Sequence, residues 1–458
     1  MSRHFALLGG TTTWTDSLVA VRALLAPRSL IEGPAICEFE EAFAEKVEMD
    51  HAYTFWAGRV GLYATLRGLG IGAGHEVMVP VPTHIVVANA IRYTGARPIY
   101  VDCRATDYNM DLALAERLVT PRTKALVLQH TFGIPADLDA ALALAARHGL
   151  DVIEDCVHSL GATYRGRPVG SFGRAAFFST EETKIISSTM GGVVVTNDPA
   201  LARWIRNFQA HCAWPSRGET VRMLVKLIAY HVLTQPYIHR YARFLYERLG
   251  RRNPLPRPTS RDEQRGGRPA SYERRLSNAQ ARLALRQLRR LDENVAHRRR
   301  VAATYEARLS PHGFRLARTP EHAESAYVRY PVWVRDRAEA IASVRRRAVV
   351  GEWFKSVLSE AERPEHGGYQ AGSCATAEAA ARHLINLPTH LRVSPADAEA
   401  IADALVEASA PNEAGKQSPP RLESRPAGEA PGERGGPGAE NVQRPPRGSQ
   451  ATEGWGAE

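Results

Sequence analysis

Short apolar runs alternate with helix-spaced apolar positions from about residue 77 onward. The runs 77–80, 98–102, 125–129 and 152–155 have the length and turn-bounded composition of buried strands. Between them, 83–93, 111–118 and 136–148 carry their apolar side chains at helical spacing. A parallel neighbour needs a long crossover, and a helix is the usual one, so this rhythm predicts a mostly parallel sheet covered by helices. The expected fold class is α/β.

The second half of the chain follows a different pattern. Residues 214–250 are amphipathic with a break at Gln235-Pro236, which predicts two helices. Their basic and aromatic side chains suit packing on the protein body or on a second subunit better than a membrane surface. The Arg-, Pro- and Gly-rich stretch 251–270 predicts an exposed loop, and 276–309 a long Arg-rich helix. Strand and helix signals at 330–334, 338–347, 384–388 and 395–406 then predict a smaller C-terminal α+β domain. Beyond about 410 apolar residues nearly vanish, the composition of a disordered tail. The expected organisation is an N-terminal segment (1–30), a large α/β domain (31–210), a helical insertion with its loop (211–275), the long helix with the small domain (276–409), and the tail (410–458).

Composition narrows the class. Five scattered cysteines (Cys37, Cys103, Cys156, Cys212, Cys374) form no CxxC pair, which argues against a zinc site or a disulfide framework and for a reducing cytoplasm. The apolar stretch near Met1 is too short for a signal peptide, and no window suits a membrane span. A formal charge of +10 fits an anionic substrate or cofactor, while no nucleic-acid-binding motif accompanies it.

One constellation carries chemistry. Lys184 lies in Ser179-Thr180-Glu181-Glu182-Thr183-Lys184, behind the short apolar strand 175–178, and Asp155 ends the run 150–155. A lysine amine can hold an aldehyde covalently, and pyridoxal phosphate also needs a carboxylate at its ring nitrogen, donors for its phosphate, and a ring clamp. Asp155 would sit at the carboxyl edge of the sheet, where α/β proteins bind ligands. Gly58 and Arg59, at a turn leading into a helix over 60–69, offer N–H groups to a phosphate, and Ser179 would reinforce them if it reaches the same anion. His84, in the turn Pro80-Val81-Pro82-Thr83-His84, is the planar side chain available to clamp a ring.

These residues stand in a longer series. Glu32-Gly33-Pro34, Phe39-Glu40-Glu41-Ala42-Phe43, Gly70-Ile71-Gly72-Ala73-Gly74-His75-Glu76-Val77, Gly95-Ala96-Arg97-Pro98, Gly133-Ile134-Pro135-Ala136-Asp137-Leu138-Asp139, Gly161-Ala162-Thr163-Tyr164 and Val169-Gly170-Ser171-Phe172-Gly173 follow in order. From about Ile31 to Ala408 the chain resembles the DegT/DnrJ/StrS family of pyridoxal-phosphate sugar aminotransferases, which have the fold-type-I architecture and usually work as homodimers. The resemblance implies pyridoxal 5'-phosphate as cofactor, no metal, and Lys184 as both cofactor anchor and proton shuttle. It gives Asp155 the ring nitrogen, His158 the phenolic oxygen side, Gly58, Arg59 and Ser179 the phosphate, and His84 the stacking position. Glutamate is the implied amino donor and a keto-sugar, most simply one linked to a nucleotide diphosphate, the acceptor.

The departures fall mainly on the substrate side. Ala57-Gly58-Arg59 replaces the family's Ser-Gly-Thr, which shifts weight to the Arg59 guanidinium. The segment Tyr272-Glu273-Arg274-Arg275-Leu276 lacks the asparagine that reaches a partner's phosphate in relatives, which leaves Arg274 or Arg275 as substitutes. Tyr327, Arg329 and Trp353 stand where relatives carry histidine motifs, and are the expected substrate residues. Lys184 speaks against the sugar dehydratases of the family, which carry histidine there. A cyclitol or other non-nucleotide ketone, or a catalytically silent regulatory or assembly protein, remain the alternatives.

Overall fold

The computed structural model describes residues 3–7, 10–248 and 258–409. The expected tail and residues 251–257 of the expected loop lie outside them. Seven strands form the main sheet in the order His51–Phe55, Gly192–Thr196, Ala175–Ser179, Asp151–Asp155, Thr123–Gln129, Glu76–Pro80, Arg97–Val101. Gly192–Thr196 runs antiparallel to both neighbours and the other six strands are parallel to one another.

Alternation along the strands explains why the apolar runs are continuous. Met78, Leu126 and Phe178 enter one apolar cluster with Phe39, Phe43 and Leu144, while Val79, Val127 and Phe177 enter another with Phe55 and Leu62. Successive side chains point to opposite faces, so two separate clusters mean that the sheet is buried on both. Each of these large apolar side chains contributes roughly 1.5–3 kcal/mol by leaving water. Asp111 and Asp137 stop the strand-to-helix turns by accepting N–H bonds from Ala113 and Ala140 at 3.0 and 3.1 Å, so the helices begin at Leu112 and Leu138.

A second, antiparallel sheet joins Arg315–Leu316, Tyr330–Trp333 and Leu384–Leu387, under the helices Leu291–Leu309, Arg337–Val344 and Pro395–Ser409. The helices Arg217–Leu233 and His239–Arg248 flank the break at Gln235-Pro236, and Leu224 and Leu227 pack on Ala20 and Ala23 of the helix Trp14–Leu24. No helix among the described residues is long and apolar enough to cross a membrane.

Three local expectations give way. The long helix expected over 276–309 is two helices, Asn278–Leu288 and Leu291–Leu309, turning at Arg289 and Arg290. The turn lets Leu283 and Leu285 serve the main body while Val301 and Tyr305 serve the C-terminal cluster, a demand that sequence periodicity does not reveal. Thr83 and His84 are not helical but pair in parallel with Leu358 and Ser359, and the helix starts at Ile85. The described part of the expected exposed loop contains a capped turn, Arg261–Gln264, in which Glu263 is buried.

Candidate active site

Six parallel strands end at one edge, and the residues singled out by the sequence gather along it. Asp155 ends its strand beside Gln129, Ser179 ends the next opposite Gly192, and Gly58 follows the strand ending at Phe55. They line a cavity of about 360 Å3 together with Arg59, His84, His158, Lys184, Arg329 and Trp353.

At one end backbone meets backbone. A Cβ on Gly58 would lie 2.8 Å from the Phe178 carbonyl oxygen, and one on Gly192 would lie 2.2 Å from the Gly58 nitrogen, so both positions demand glycine. The helix Gly58–Gly68 opens there with Ala57 as N-cap and no side chain capping it, which leaves N–H groups and the positive end of the helix dipole for an anion. The Ser179 hydroxyl lies on the adjoining strand end, accepting from the Glu181 N–H at 3.3 Å and donating to the Gly191 oxygen at 3.4 Å. The Arg59 guanidinium corrects an expectation. Its Nε is 2.7 Å from Glu263 Oε1 and its Nη2 donates to the Pro258 oxygen at 2.8 Å, so the loop after 258 holds the charge that the sequence assigns to a phosphate.

The next strand separates two adjacent carboxylates by function. Glu154 faces inward and accepts N–H bonds from Gly170, Phe172 and Gly173 at 2.7, 2.8 and 2.7 Å. His130 Nε2 lies 3.1 Å from it, while His130 Nδ1 accepts from the Ala136 N–H at 3.0 Å. With Cys156 these groups cluster closely enough to suggest a metal, but their lone pairs already hold a turn in place. Asp155 faces the cavity. Its Oδ1 accepts from the Val157 N–H at 3.1 Å, Oδ2 is buried without a partner, and burial pushes its carboxyl up to about 6.

Lys184 comes from the loop between Ser179 and Gly191, which Thr180 braces through N–H bonds with the Gly191 and Ser188 backbones at 2.9 Å. Glu182 ties the same loop to Lys226 of the helix Arg217–Leu233 through a buried 2.6 Å ion pair. Burial pushes the Lys184 amine down to about 8, with Glu181 opposing and Arg329 adding to the fall. His84 caps the helix Ile85–Tyr93 by accepting from Val86 N–H at 3.3 Å, and burial with the Lys184 and Arg59 charges lowers it to about 3. His158 is likewise held neutral by burial, its Nδ1 without a partner.

The opposite wall is built by Trp353 and Arg329. The indole lies 4.7 Å from the His158 ring centre, the Arg329 Cζ is 3.8 Å from the indole centre, and the Lys184 Nζ is 4.5 Å from it. Tyr327 lies outside the lining, its hydroxyl 3.0 Å from Thr319 Oγ1. Arg274 pairs with Glu219 at 2.6 Å and stacks on Trp56, and Arg275 stacks on Trp214, so neither lines this cavity within its own chain. Sequence reading missed Glu263, Lys226 and Phe354. Phe354 lay in a stretch already marked as divergent, whereas Glu263 and Lys226 gave no local signal.

A buried lysine of lowered pKa, an unpartnered carboxylate oxygen at a strand end and an uncapped helix start on one cavity fit pyridoxal phosphate, and the fold is that of a fold-type-I aminotransferase. The chain belongs to the DegT/DnrJ/EryC1/StrS aminotransferase family, whose model matches residues 13–406. It is 31% identical to a GDP-perosamine synthase of Caulobacter vibrioides over 409 residues, 88% of this chain and 94% of that one. A dTDP-3-amino-3,4,6-trideoxy-alpha-D-glucose transaminase of Streptomyces venezuelae is 43% identical over 198 residues, 42% of this chain and 52% of its own length. Among solved structures, S. venezuelae DesV in complex with a ketimine intermediate superposes with a TM-score of 0.68 at 29% identity, covering 86% of this chain and 95% of that one.

Proposed function

We propose that this chain moves an amino group from an amino acid, glutamate being the simplest donor, to the ketone of a nucleotide-linked sugar, using pyridoxal 5'-phosphate. The reaction exchanges the donor's amine and α-hydrogen for the acceptor's carbonyl oxygen, giving a 2-keto acid and an amino sugar. The observation that carries this reading is the buried, unpartnered Asp155 Oδ2 sharing one cavity with the Lys184 amine. When bound, pyridoxal phosphate supplies the carbonyl that receives the amine and a ring that withdraws electrons from the carbon being deprotonated.

The protein's own part follows from its groups. Gly58, the Arg59 backbone and Ser179 would hold the phosphate, Asp155 would accept the ring N–H, His158 would serve the phenolic oxygen, and neutral His84 would clamp the ring. Lys184 would anchor the cofactor, and its Nζ would carry the proton from the donor carbon. An amine with a pKa near 8 both leaves and returns protons near neutrality. The names of the relatives, which act on GDP-, dTDP- and UDP-linked sugars, support a nucleotide-linked acceptor. A cytoplasmic homodimer, with Arg274 or Arg275 of one subunit reaching the other's phosphate, completes the reading, with residues 31–210 and 276–409 as its two domains.

The test is turnover of glutamate with a panel of nucleotide-linked keto-sugars and free keto-cyclitols, with products weighed by mass spectrometry. Amination of nucleotide sugars is the expected result. Amination of cyclitols alone would replace the acceptor, and no turnover with no pH-sensitive visible band in the cofactor-soaked protein would remove the enzyme reading.

A further inference from the structure

The apolar side chains that stay in water are gathered on one part of this protein. Among the described residues every exposed large one except Leu118 lies on three segments, 14–25, 221–233 and 237–244. The helices Trp14–Leu24 and Arg217–Leu233 lie side by side, their inner sides sharing a cluster of Ala20, Ala23, Leu224 and Leu227, and Trp14 meets His231 edge-on with ring centres 4.4 Å apart. The helix His239–Arg248 follows the Gln235-Pro236 break and is pinned at its start. His4 Nδ1 lies 2.8 Å from His239 Nδ1, and the His4 N–H donates to the Pro236 oxygen at 2.9 Å. On the outer side Trp14, Leu18, Val21 and Leu25 recur at the spacing of successive helical turns, and Tyr237, Tyr241 and Phe244 do the same. Trp14 is 64% exposed, Leu25 80% and Phe244 59%, which is too open for the edge of a core. Apolar surface collected in this way marks a place of contact, which singly scattered residues do not.

Charge identifies the partner. Residues 217–252 carry seven arginines and one lysine against two glutamates. Arg22, Arg217, Arg222, Arg240 and Arg248 are exposed and have no ion-pair partner among the described residues. The Arg240 and Arg248 guanidinium carbons lie 5.2 Å from the ring centres of Tyr241 and Phe244, so cation and aromatic ring share the same surface. The described acids of the same helices are turned elsewhere. Asp16 is buried against Arg286 and Arg290 at 3.3 and 3.0 Å, and Glu219 pairs with Arg274 at 2.6 Å. A second copy docked on this face would set arginine against arginine, a like-charge contact that disfavours association. An anionic bilayer suits both kinds of side chain at once. Its phosphates meet the guanidinium groups, while the tryptophan, tyrosine and phenylalanine rings enter the boundary between headgroups and acyl chains, where amphipathic aromatic side chains are enriched.

We propose that the helices Trp14–Leu24 and His239–Arg248, with the outer side of Arg217–Leu233, dock this protein on an anionic lipid surface. None of the three is long and apolar enough to cross a bilayer, so the helices lie on the membrane and the attachment is reversible. The docking uses no group of the cofactor cavity, and it stands or falls independently of the aminotransferase reading.

The full-length, cofactor-loaded protein would be sedimented with vesicles of phosphatidylcholine alone and of phosphatidylcholine containing about one-third phosphatidylglycerol, an anionic lipid. Pelleting with the anionic vesicles only, reversed by high salt, is the expected result. Arg240→Gln combined with Arg248→Gln removes two charges, each contributing about fivefold near an anionic surface, and should lower the vesicle partition coefficient by about 25-fold. Tyr241→Ser combined with Phe244→Ser should lower it by at least as much. Trp14 fluorescence, taken as the difference from Trp14→Phe, should be quenched by lipids brominated near the headgroup end of the chain. Thermal melts and lipid-free turnover should be the same for all of these variants as for the unaltered protein, which separates lost docking from lost folding. Equal pelleting with both kinds of vesicle, pelleting with neither, or pelleting that neither pair of substitutions weakens would overturn the proposal. Light scattering without lipid decides against the rival occupant: if Tyr241→Ser with Phe244→Ser halves the particle mass, the face belongs to a second copy and the proposal fails.

Discussion

The two ends of the cavity are built on opposite principles. At the sheet edge, Gly58, Gly192 and Asp155 are held by backbone that leaves no freedom, because a Cβ at either glycine would collide and Asp155 is fixed through its Oδ1. At the Trp353 wall the Arg329 guanidinium lies 3.8 Å from the indole centre and feels the Glu181 carboxylate. Arg298 shows what an arginine buried for structure looks like in this protein. It donates to Asn294 at 2.9 Å, to Val328 O and Thr389 at 3.1 Å and to Thr11 at 3.0 Å, tying the helix Leu291–Leu309 to the strand-end turns around it. Against that satisfied guanidinium, Arg329 keeps an Nη1 without a hydrogen-bond partner among the described residues.

The largest break in this comparison is at the sheet edge. Lys184→Ala removes both anchor and proton carrier, and turnover should fall by at least about 10^3-fold, measured as amino-sugar formed per enzyme, with cofactor no longer retained through gel filtration as a borohydride-reducible adduct. A loss of less than tenfold would move the chemistry elsewhere.

The arginine pair comes next. Arg298→Met strands several buried acceptors and should destabilise the fold by about 3–5 kcal/mol, whereas Arg329→Met removes a guanidinium whose Nη1 has no hydrogen-bond partner among the described residues and should cost far less. Denaturant melts of the ligand-free proteins read the difference directly. Equal destabilisation by both would mean that Arg329 has structural partners after all.

Asp155 and Glu154 sharpen the contrast within one strand. The Asp155 carboxyl is raised from 3.8 to about 6, so its ionised form is penalised by the fold. That penalty is absent below about pH 4, where the group is protonated in both states, and complete above pH 6, where it amounts to about 3 kcal/mol. Asp155→Asn should therefore stabilise the cofactor-free protein at pH 7.5, lose this advantage at pH 4, and cost activity. Glu154 is shifted the other way, its carboxylate held below its usual range by His130 and the Gly173 and Gly170 N–H groups against the cost of burial. Glu154→Gln should destabilise at neutral pH and have progressively less effect as pH falls. Melting temperatures over pH 4–8 with and without cofactor test both signs.

How much of this was legible in the sequence follows the same division. Lys184, Asp155 and Ser179 were singled out because each follows or ends an apolar strand, and a strand in a parallel sheet delivers its last residue to one edge whatever lies elsewhere, whereas Gly58 was singled out from the turn before its helix. The split of 276–309 was not readable, since no Gly or Pro marks Arg289 and Arg290, and the turn serves two cores that meet only in three dimensions. Arg59 was misjudged for a similar reason. Its partner Glu263 lies about two hundred residues away in a stretch whose composition resembles a loop, and the cap that buries it, Ser260 accepting from Glu263 N–H at 3.2 Å, is visible only once the chain is folded. Trp353 and Arg329 were noticed as departures, but only the fold brings the guanidinium to 3.8 Å from the indole centre.

The smallest expected effect tests whether the two ends share one electrostatic field. An ordinary lysine, with a pKa near 10.4, is well under about 1% neutral at pH 8, while Lys184, lowered to about 8, is half neutral there. Reductive alkylation by a small aldehyde, followed on the peptide containing Lys184, should rise with a midpoint near pH 8 in the cofactor-free protein. Arg329 is one of the charges holding that amine down and Asp155 one of those holding it up. Arg329→Gln should thus move the midpoint to higher pH and Asp155→Asn to lower pH, each by a fraction of a pH unit. Burial is the first cause of the shift, so a common upward move in both variants would mean that water had entered the cavity. Opposite moves would mean that the carboxylate at the sheet edge and the guanidinium at the far wall both set the working pH of one amine.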